Sequence, residues 1–306
     1  MSKSMRVGLI VSACMVVVQM GVAQGASPPD AKGLRVVSDE TATGFKFPES
    51  AAYDPKRKVL YVGQFGSELK PAEKDGKGKI SKVSLDGKIL EDQFLPAAGE
   101  TMNKPKGIWV RDDRLWVTDI DAVWIFDLKT RKGRRLALAG MGFANDPAVM
   151  GNALYISDNR NDLLYRVEPA DFLDPKVNPQ VTVVFARKGV NPNGLYPARD
   201  GTLLMVGLEG EKPRGIYSLG KTGEVKPLSP ELGRLDGLYQ LKDGTLLVTD
   251  WSTGSLAHWS AKSGMTPLAK GFKGPADFCV IPDAKGYMVF VPDLAKSELR
   301  MIRLAN

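Results

Sequence analysis

One unit occurs six times along the chain, and this repetition limits the possible folds more than any other feature. Each unit is a turn, an apolar strand, a polar hairpin, a second strand of the type Leu-Tyr-Val-Thr-Asp, a loop and a third strand. The second strands are Leu60-Tyr61-Val62-Gly63, Leu115-Trp116-Val117-Thr118-Asp119, Leu154-Tyr155-Ile156-Ser157-Asp158, Leu203-Leu204-Met205-Val206, Leu246-Leu247-Val248-Thr249-Asp250 and Tyr287-Met288-Val289-Phe290. They recur about every 40 to 55 residues, the spacing of propeller blades. Third strands follow, from Ile80-Ser81-Lys82-Val83 in the first unit to Leu299-Arg300-Met301-Ile302 in the last. The turn pairs Asp86-Gly87, Thr222-Gly223 and Ser263-Gly264 then lead into a fourth strand. Beyond the N-terminal apolar run no segment keeps a helical period. The expected fold class is all-β, a six-bladed β-propeller of four-stranded blades.

The ends of the chain fit a closed ring. The sixth unit reaches its third strand at Leu304, two residues before Asn306. Its blade then lacks an outer strand, and an open edge is a liability. Leu34-Arg35-Val36-Val37-Ser38 precedes the first unit and has no other role. This N-terminal strand is expected to complete the last blade.

The first residues point to export. Lys3 and Arg6 form a positive start, Val7 to Val22 is largely apolar, and no acid appears before Asp30. Gly21-Val22-Ala23 and Ala23-Gln24-Gly25 offer the small residues that signal peptidase needs. Residues 1–23 are read as a signal peptide and 24–306 as one propeller domain. A retained anchor helix is disfavoured, because the run is short for a span of about 20 apolar residues. Val11-Ser12-Ala13-Cys14 resembles a lipoprotein box, but the apolar run continues past it. The expected location is the periplasm, with no stable membrane insertion after cleavage. Only Cys279 then remains, so an intramolecular disulfide is excluded and the core must hold the fold.

The formal charge of +7 drops to +5 as Lys3 and Arg6 leave with the signal. Basic residues are interleaved with acids, as in Asp54-Pro55-Lys56-Arg57-Lys58, and no aromatic-studded basic stripe appears. This excludes a nucleic-acid partner and supports at most a mild attraction for anionic small molecules.

In a propeller the residues just before each innermost strand converge on the axis. Alignment on the second strands places Glu49, Lys106, Asn145, Asn193, Asp236 and Ala276 there. Four of these six carry a side-chain oxygen, two of them as carboxylates, a ring that is costly to bury empty. A hard cation resolves the repulsion, with calcium favoured and magnesium or manganese next. The single histidine, His258, lies on a third strand, which argues against a His-ligated metal and a Ser-His-Asp triad. Asn, Asp and Gly are also ordinary turn formers, and Lys106 could serve as the ring's own cation by pairing with Glu49 or Asp236.

With these axial motifs (Pro48-Glu49-Ser50, Ala144-Asn145-Asp146, Pro192-Asn193-Gly194, Leu235-Asp236-Gly237) the chain resembles the SMP-30/gluconolactonase/luciferin-regenerating-enzyme-like propellers, a group similar to the diisopropylfluorophosphatases. The resemblance covers the whole mature chain. It implies a calcium-type ion held by Glu49, Asn193 and Asp236, with Asn145 binding metal or substrate. It also implies hydrolysis of lactones or related esters with Asp236 as general base. The chain departs from the family in Ser50, where Gly is usual, and in Lys106, which has no metal role in the best-known members.

A cation held there would polarise a lactone carbonyl and stabilise the oxyanion, and Lys106 could add a second positive charge or hold a substrate carboxylate. The entrance is expected where the loops between second and third strands return to the axis, 64–78, 119–121, 159–162, 208–214 and 251–254. Gln64, Asp119, Asn159 and Trp251 from these loops are candidate substrate contacts, together with Asn145 and Lys106. The loop 64–78 is long enough to act as a lid, or is a solvated surface loop. The first reading is a metal-dependent lactonase or esterase acting on a small molecule. A non-catalytic propeller binding a ligand or protein, and a phosphotriesterase, stand as alternatives.

Overall fold

The computed structural model describes residues 33–186 and 188–305, and every regular element among them is a β-strand. Six four-stranded antiparallel sheets form the blades of a propeller. Blades I to V span 48–95, 105–137, 144–186, 192–227 and 235–270, each with its strands in chain order from the axis outwards. Blade VI holds Cys279–Asp283, Gly286–Asp293 and Glu298–Ala305, and its outermost strand is Arg35–Ala42 from the other end of the chain. Arg35 faces Ala305 and Ala42 faces Leu299, so the ring closes by pairing the two ends, as expected. Residues 1–23, expected to be a signal peptide, and Cys14 within them lie outside the described residues.

Alternation along each middle strand assembles the core. In a strand, successive side chains leave on opposite faces. Tyr61 therefore packs toward blade II with Leu115, Val117 and Phe126, whereas Leu60 and Val62 pack toward blade VI with Phe290 and Leu299. Trp116, flanked by Leu115 and Val117, turns the other way and packs with Leu154, Ile156 and Phe172 of blade III. One apolar cluster fills each gap between neighbouring blades. Truncating one of these buried side chains to Ala costs about 2–5 kcal/mol.

Three repeated polar devices set the geometry at the axis. The first is a bulge near the start of each innermost strand of blades I to V. Pro48 pairs with Gln64 and Ser50 with Gly63, which leaves Glu49 out of register. The same break follows Pro105, Ala144, Pro192 and Leu235. A bulged residue is free of the ladder and is re-aimed. The second device ties the blades together at these points. Hydroxyls of Ser50, Thr118, Ser157 and Thr249 donate to the carbonyls of Lys106, Asn145, Asn193 and Ala276 in the following blade.

The third device is a carboxylate staple. Asp119 ends the second strand of blade II and accepts the backbone N–H groups of Asn103 and Lys104, at 3.0 and 2.8 Å. Asp158, Asp250 and Asp293 receive the entering segments of their own blades in the same way. In blade I the position is Gln64, whose Oε1 accepts Lys46 N–H at 2.5 Å. The recurring Asp of the second strand is therefore a structural part of the repeat.

Candidate functional site

The bulged residues converge on one end of the channel. Glu49, Lys106, Asn145, Asn193 and Asp236 line a cavity of about 440 Å³. None of the five is more than 6% exposed. Ala276, the sixth axial residue, is buried against Phe65 and Leu294 and has no polar side-chain atom. The walls come from the loops between second and third strands, with Phe65, Asn159, Leu208, Trp251 and Leu294 at the cavity surface.

Burial of this ring sets its electrostatics. Burial, and next the charge of Asp236, hold Glu49 well above the usual carboxylate range, with Lys106 opposing. Burial likewise pushes Asp236 up to about 7, although hydrogen bonds from Trp251 and Asn193 favour its ionised form. Lys106 is pushed down to about 8 by burial, against the carboxylates of Glu49 and Asp119. Its Nζ reaches the carbonyl of Lys104 only at 3.4 Å and stands 4.2 Å from the centre of the Phe143 ring. No ion pair within 4.0 Å joins Lys106 to Glu49 or Asp236 among the described residues. The amine therefore does not neutralise the ring by direct contact.

Two oxygens of the ring, Glu49 Oε2 and Asn193 Oδ1, are buried without a hydrogen-bond partner. An unmet buried acceptor costs about 1–3 kcal/mol, and more when charged. Such oxygens beside a second carboxylate form a donor set that suits a hard cation. Among the described residues no three His, Cys, Asp or Glu side chains stand at metal-ligand spacing. The ring itself holds two carboxylates, so amide oxygens of Asn193 and Asn145 would have to contribute to any cation shell.

Other candidates divide. Asn159 lines the cavity, donates through Nδ2 to Leu208 O at 3.1 Å and keeps Oδ1 buried and unpartnered. Trp251 also lines it and donates from Nε1 to Asp236 Oδ2 at 2.8 Å. Gln64 and Asp119 do not line the cavity; both are fully buried as the staples described above. Their strand-end position looks like a loop position in sequence, but each side chain accepts backbone N–H groups of the segment that enters its blade. His258 is remote from the axis and bonds Thr245 Oγ1 at 2.8 Å.

Several residues were not anticipated. Phe143 and Arg234 line the cavity from two positions before the axial residue, and Arg160 does so from the loop after Asn159. The same offset that locates the ring would have located the first two. One residue after the ring, Asp146 and Asp277 line a second cavity, of about 310 Å³, with Tyr53, Tyr196 and Tyr239. Burial raises both carboxyls, and next the charge of Asp277 raises Asp146 while that of Asp236 raises Asp277. Glycine stands at this position in blade II because a Cβ on Gly107 would meet Asp146 Oδ1 at 2.1 Å.

No protein-family model and no curated protein matches the sequence. Solved structures do. A provisionally assigned gluconolactonase is 15% identical with a TM-score of 0.63, over 90% of this chain and 93% of that one. A streptogramin B lyase is 15% identical with a TM-score of 0.58, over 87% of this chain and 97% of its own. Virginiamycin B lyase from Staphylococcus aureus gives the same identity and TM-score over 88% and 100%. The likeness is one of fold. It joins the chain to propellers that include gluconolactonase-type and lyase proteins, without singling out the SMP-30 group.

Proposed function

We propose that this chain is an exported, divalent-cation-dependent hydrolase that opens a lactone or related ester in the axial cavity. The observation that carries this reading is the pair of unpartnered buried oxygens, Glu49 Oε2 and Asn193 Oδ1, in one ring with Asp236. Glu49, Asn193 and Asp236 would hold the ion, most readily calcium, with Asn145 beside them. When bound, such an ion supplies Lewis-acid polarisation of a carbonyl.

The remaining work falls to the chain's own groups. Water adds to the acyl carbon and the ring C–O bond breaks. Asp236 takes the proton of the water at the carboxylate oxygen that Trp251 leaves free, then returns it to the leaving alkoxide. A bound cation beside Asp236 would favour its ionised form, the form a general base needs. The Lys106 ammonium places positive charge in a water-poor cavity where the oxyanion develops. Asn145 and Asn159 offer amides to orient substrate hydroxyls, and Phe65, Phe143 and Leu208 exclude bulk water.

A lyase reading, by analogy with the similar structures, has less support. Replacement of a histidine by alanine inactivates the Staphylococcus aureus virginiamycin B lyase. The only histidine here is His258, which lies outside the cavity.

Calcium titration by calorimetry into chelator-treated mature protein tests the proposal, with lactone turnover assayed in parallel. Saturable binding is expected, lost in Asp236→Ala, together with turnover lost in Asp236→Asn. If calcium, magnesium and manganese all fail to bind, the hydrolase reading falls and Lys106 becomes the ring's own cation in a binding propeller. Turnover of phosphotriesters but not lactones would move the activity to that class.

A further inference from the structure

The wall of the axial cavity is as basic as its floor is acidic. Lys106 Nζ and the Arg160 guanidinium carbon stand 4.2 and 3.7 Å from the centre of one ring, that of Phe143. Two cations at one aromatic side chain repel each other, and no carboxylate oxygen pairs with either within 4.0 Å among the described residues. Arg234 lines the same cavity. Its Nη1 bonds Glu211 Oε2 at 3.0 Å, but Glu211 is 88% exposed, so solvent screens that pair. Arg234 Nε is buried with no partner at all. Glu209, an acid of the rim, is engaged by Arg214 and Lys212. Three positive side chains from blades II, III and V thus line the cavity that Glu49 and Asp236 also line, and none of the three is in ion-pair contact with those two acids among the described residues.

We infer that Lys106, Arg160 and Arg234 form an anion-binding wall, and that the substrate carries a compact oxyanion separate from the bond that is opened. Guanidinium groups match the paired oxygens of a carboxylate or phosphate, and the ammonium adds a point charge. The floor is placed for an uncharged carbonyl and the wall for the anion, which orients a molecule that has both. The substrate class is therefore an acidic lactone or ester, carboxylated or phosphorylated. A phosphotriester has no ionised group and leaves the wall unused. Where the reacting bond sits rests on the hydrolase reading; the anion wall does not.

The test is direct binding in chelator, where hydrolysis is not at issue. Calorimetric titrations compare 5-oxotetrahydrofuran-2-carboxylate with γ-butyrolactone, which has the same ring without the carboxylate, and with inorganic phosphate. The carboxylated lactone is expected to bind at least ten-fold more tightly than the neutral one. Arg160→Gln and Arg234→Gln should each lower its affinity several-fold, and 0.5 M salt should weaken it in the parent protein. Arg160 is exposed, so its variant is expected to fold, and thermal melting checks both. Equal binding of the two lactones, or unchanged affinity in both folded variants, overturns the wall. Tighter binding of phosphate than of the carboxylated lactone, with the lactone displaced, overturns the substrate assignment in favour of a free anion. Selective anion binding, with no lactone turnover once calcium, magnesium or manganese is restored, would sink the hydrolase reading and leave the wall standing. Turnover without charge preference would do the reverse.

Discussion

Trp251 Nε1 donates to Asp236 Oδ2 at 2.8 Å, which commits one oxygen of the axial carboxylate. The indole comes from the loop of the same blade whose bulge exposes Asp236. Trp251→Phe keeps an aromatic wall and removes the donor. That bond lowers the pKa of Asp236, so its loss raises it. The acid limb of the pH–rate profile should shift to higher pH, with turnover at pH 7 falling about ten-fold, the effect of about 1.4 kcal/mol. An unmoved limb would separate Trp251 from the function of Asp236.

Four axial carboxyls, Glu49, Asp146, Asp236 and Asp277, are raised above their ordinary values, first of all by burial. A carboxyl raised in the folded state binds more protons there than in the unfolded chain. The stability it contributes is present at low pH and is lost as pH rises through the folded value. Chelator-treated protein should therefore melt at lower temperature at pH 8 than at pH 5.5. The stabilisation by added calcium should grow over the same interval. Thermal melts at the two pH values with and without calcium decide this, and equal melting of the stripped protein at both would contradict it.

Lys104 is fully buried, and its Nζ donates to Asp75 Oδ2 at 2.6 Å and to Phe65 O at 3.1 Å. This amine latches the long 65–78 loop, whose Phe65 and Pro71 line the cavity. Lys104→Met removes charge-assisted hydrogen bonds to a partly solvated carboxylate and a carbonyl, and should cost about 1.5–3 kcal/mol. Urea unfolding measures the loss, and limited proteolysis should cut within 66–77 faster than in the parent. Unchanged cleavage would mean that the loop is held by its other contacts.

Removal of residues 33–42 leaves Glu298–Ala305 as an open, partly apolar edge. It also deletes the ion pair of Asp39 with Arg300 and the packing of Leu34 and Val36 on Leu304. Exposed edges invite pairing with other chains. The truncated protein should elute from size exclusion as oligomers or aggregate, whereas a monomeric product would show that blade VI tolerates three strands.

Much of the ring was legible because each innermost strand keeps a constant register to the second strand. Pro48 opposite Gln64 and Pro105 opposite Asp119 set the same offset, so alignment on the second strands places Glu49, Lys106, Asn145, Asn193 and Asp236 around one cavity. The offset says nothing of side-chain direction at strand ends. Gln64 and Asp119 therefore look like loop residues open to a ligand, while hydrogen bonds to Lys46 and Lys104 turn them inward.

The repeat and its apolar alternation by themselves determined six blades and closure of the ring by the two chain ends, since each strand can bury both faces only between neighbours. They also determined which residue of each unit reaches the axis. Only the tertiary structure decided which charges meet there. Lys106, Arg160 and Arg234 are far apart in sequence and share a cavity through the curvature of the ring, as do Asp146 and Asp277 beyond it. Electrostatic interaction depends on distance and burial, and neither is defined for residues of different blades until the propeller closes.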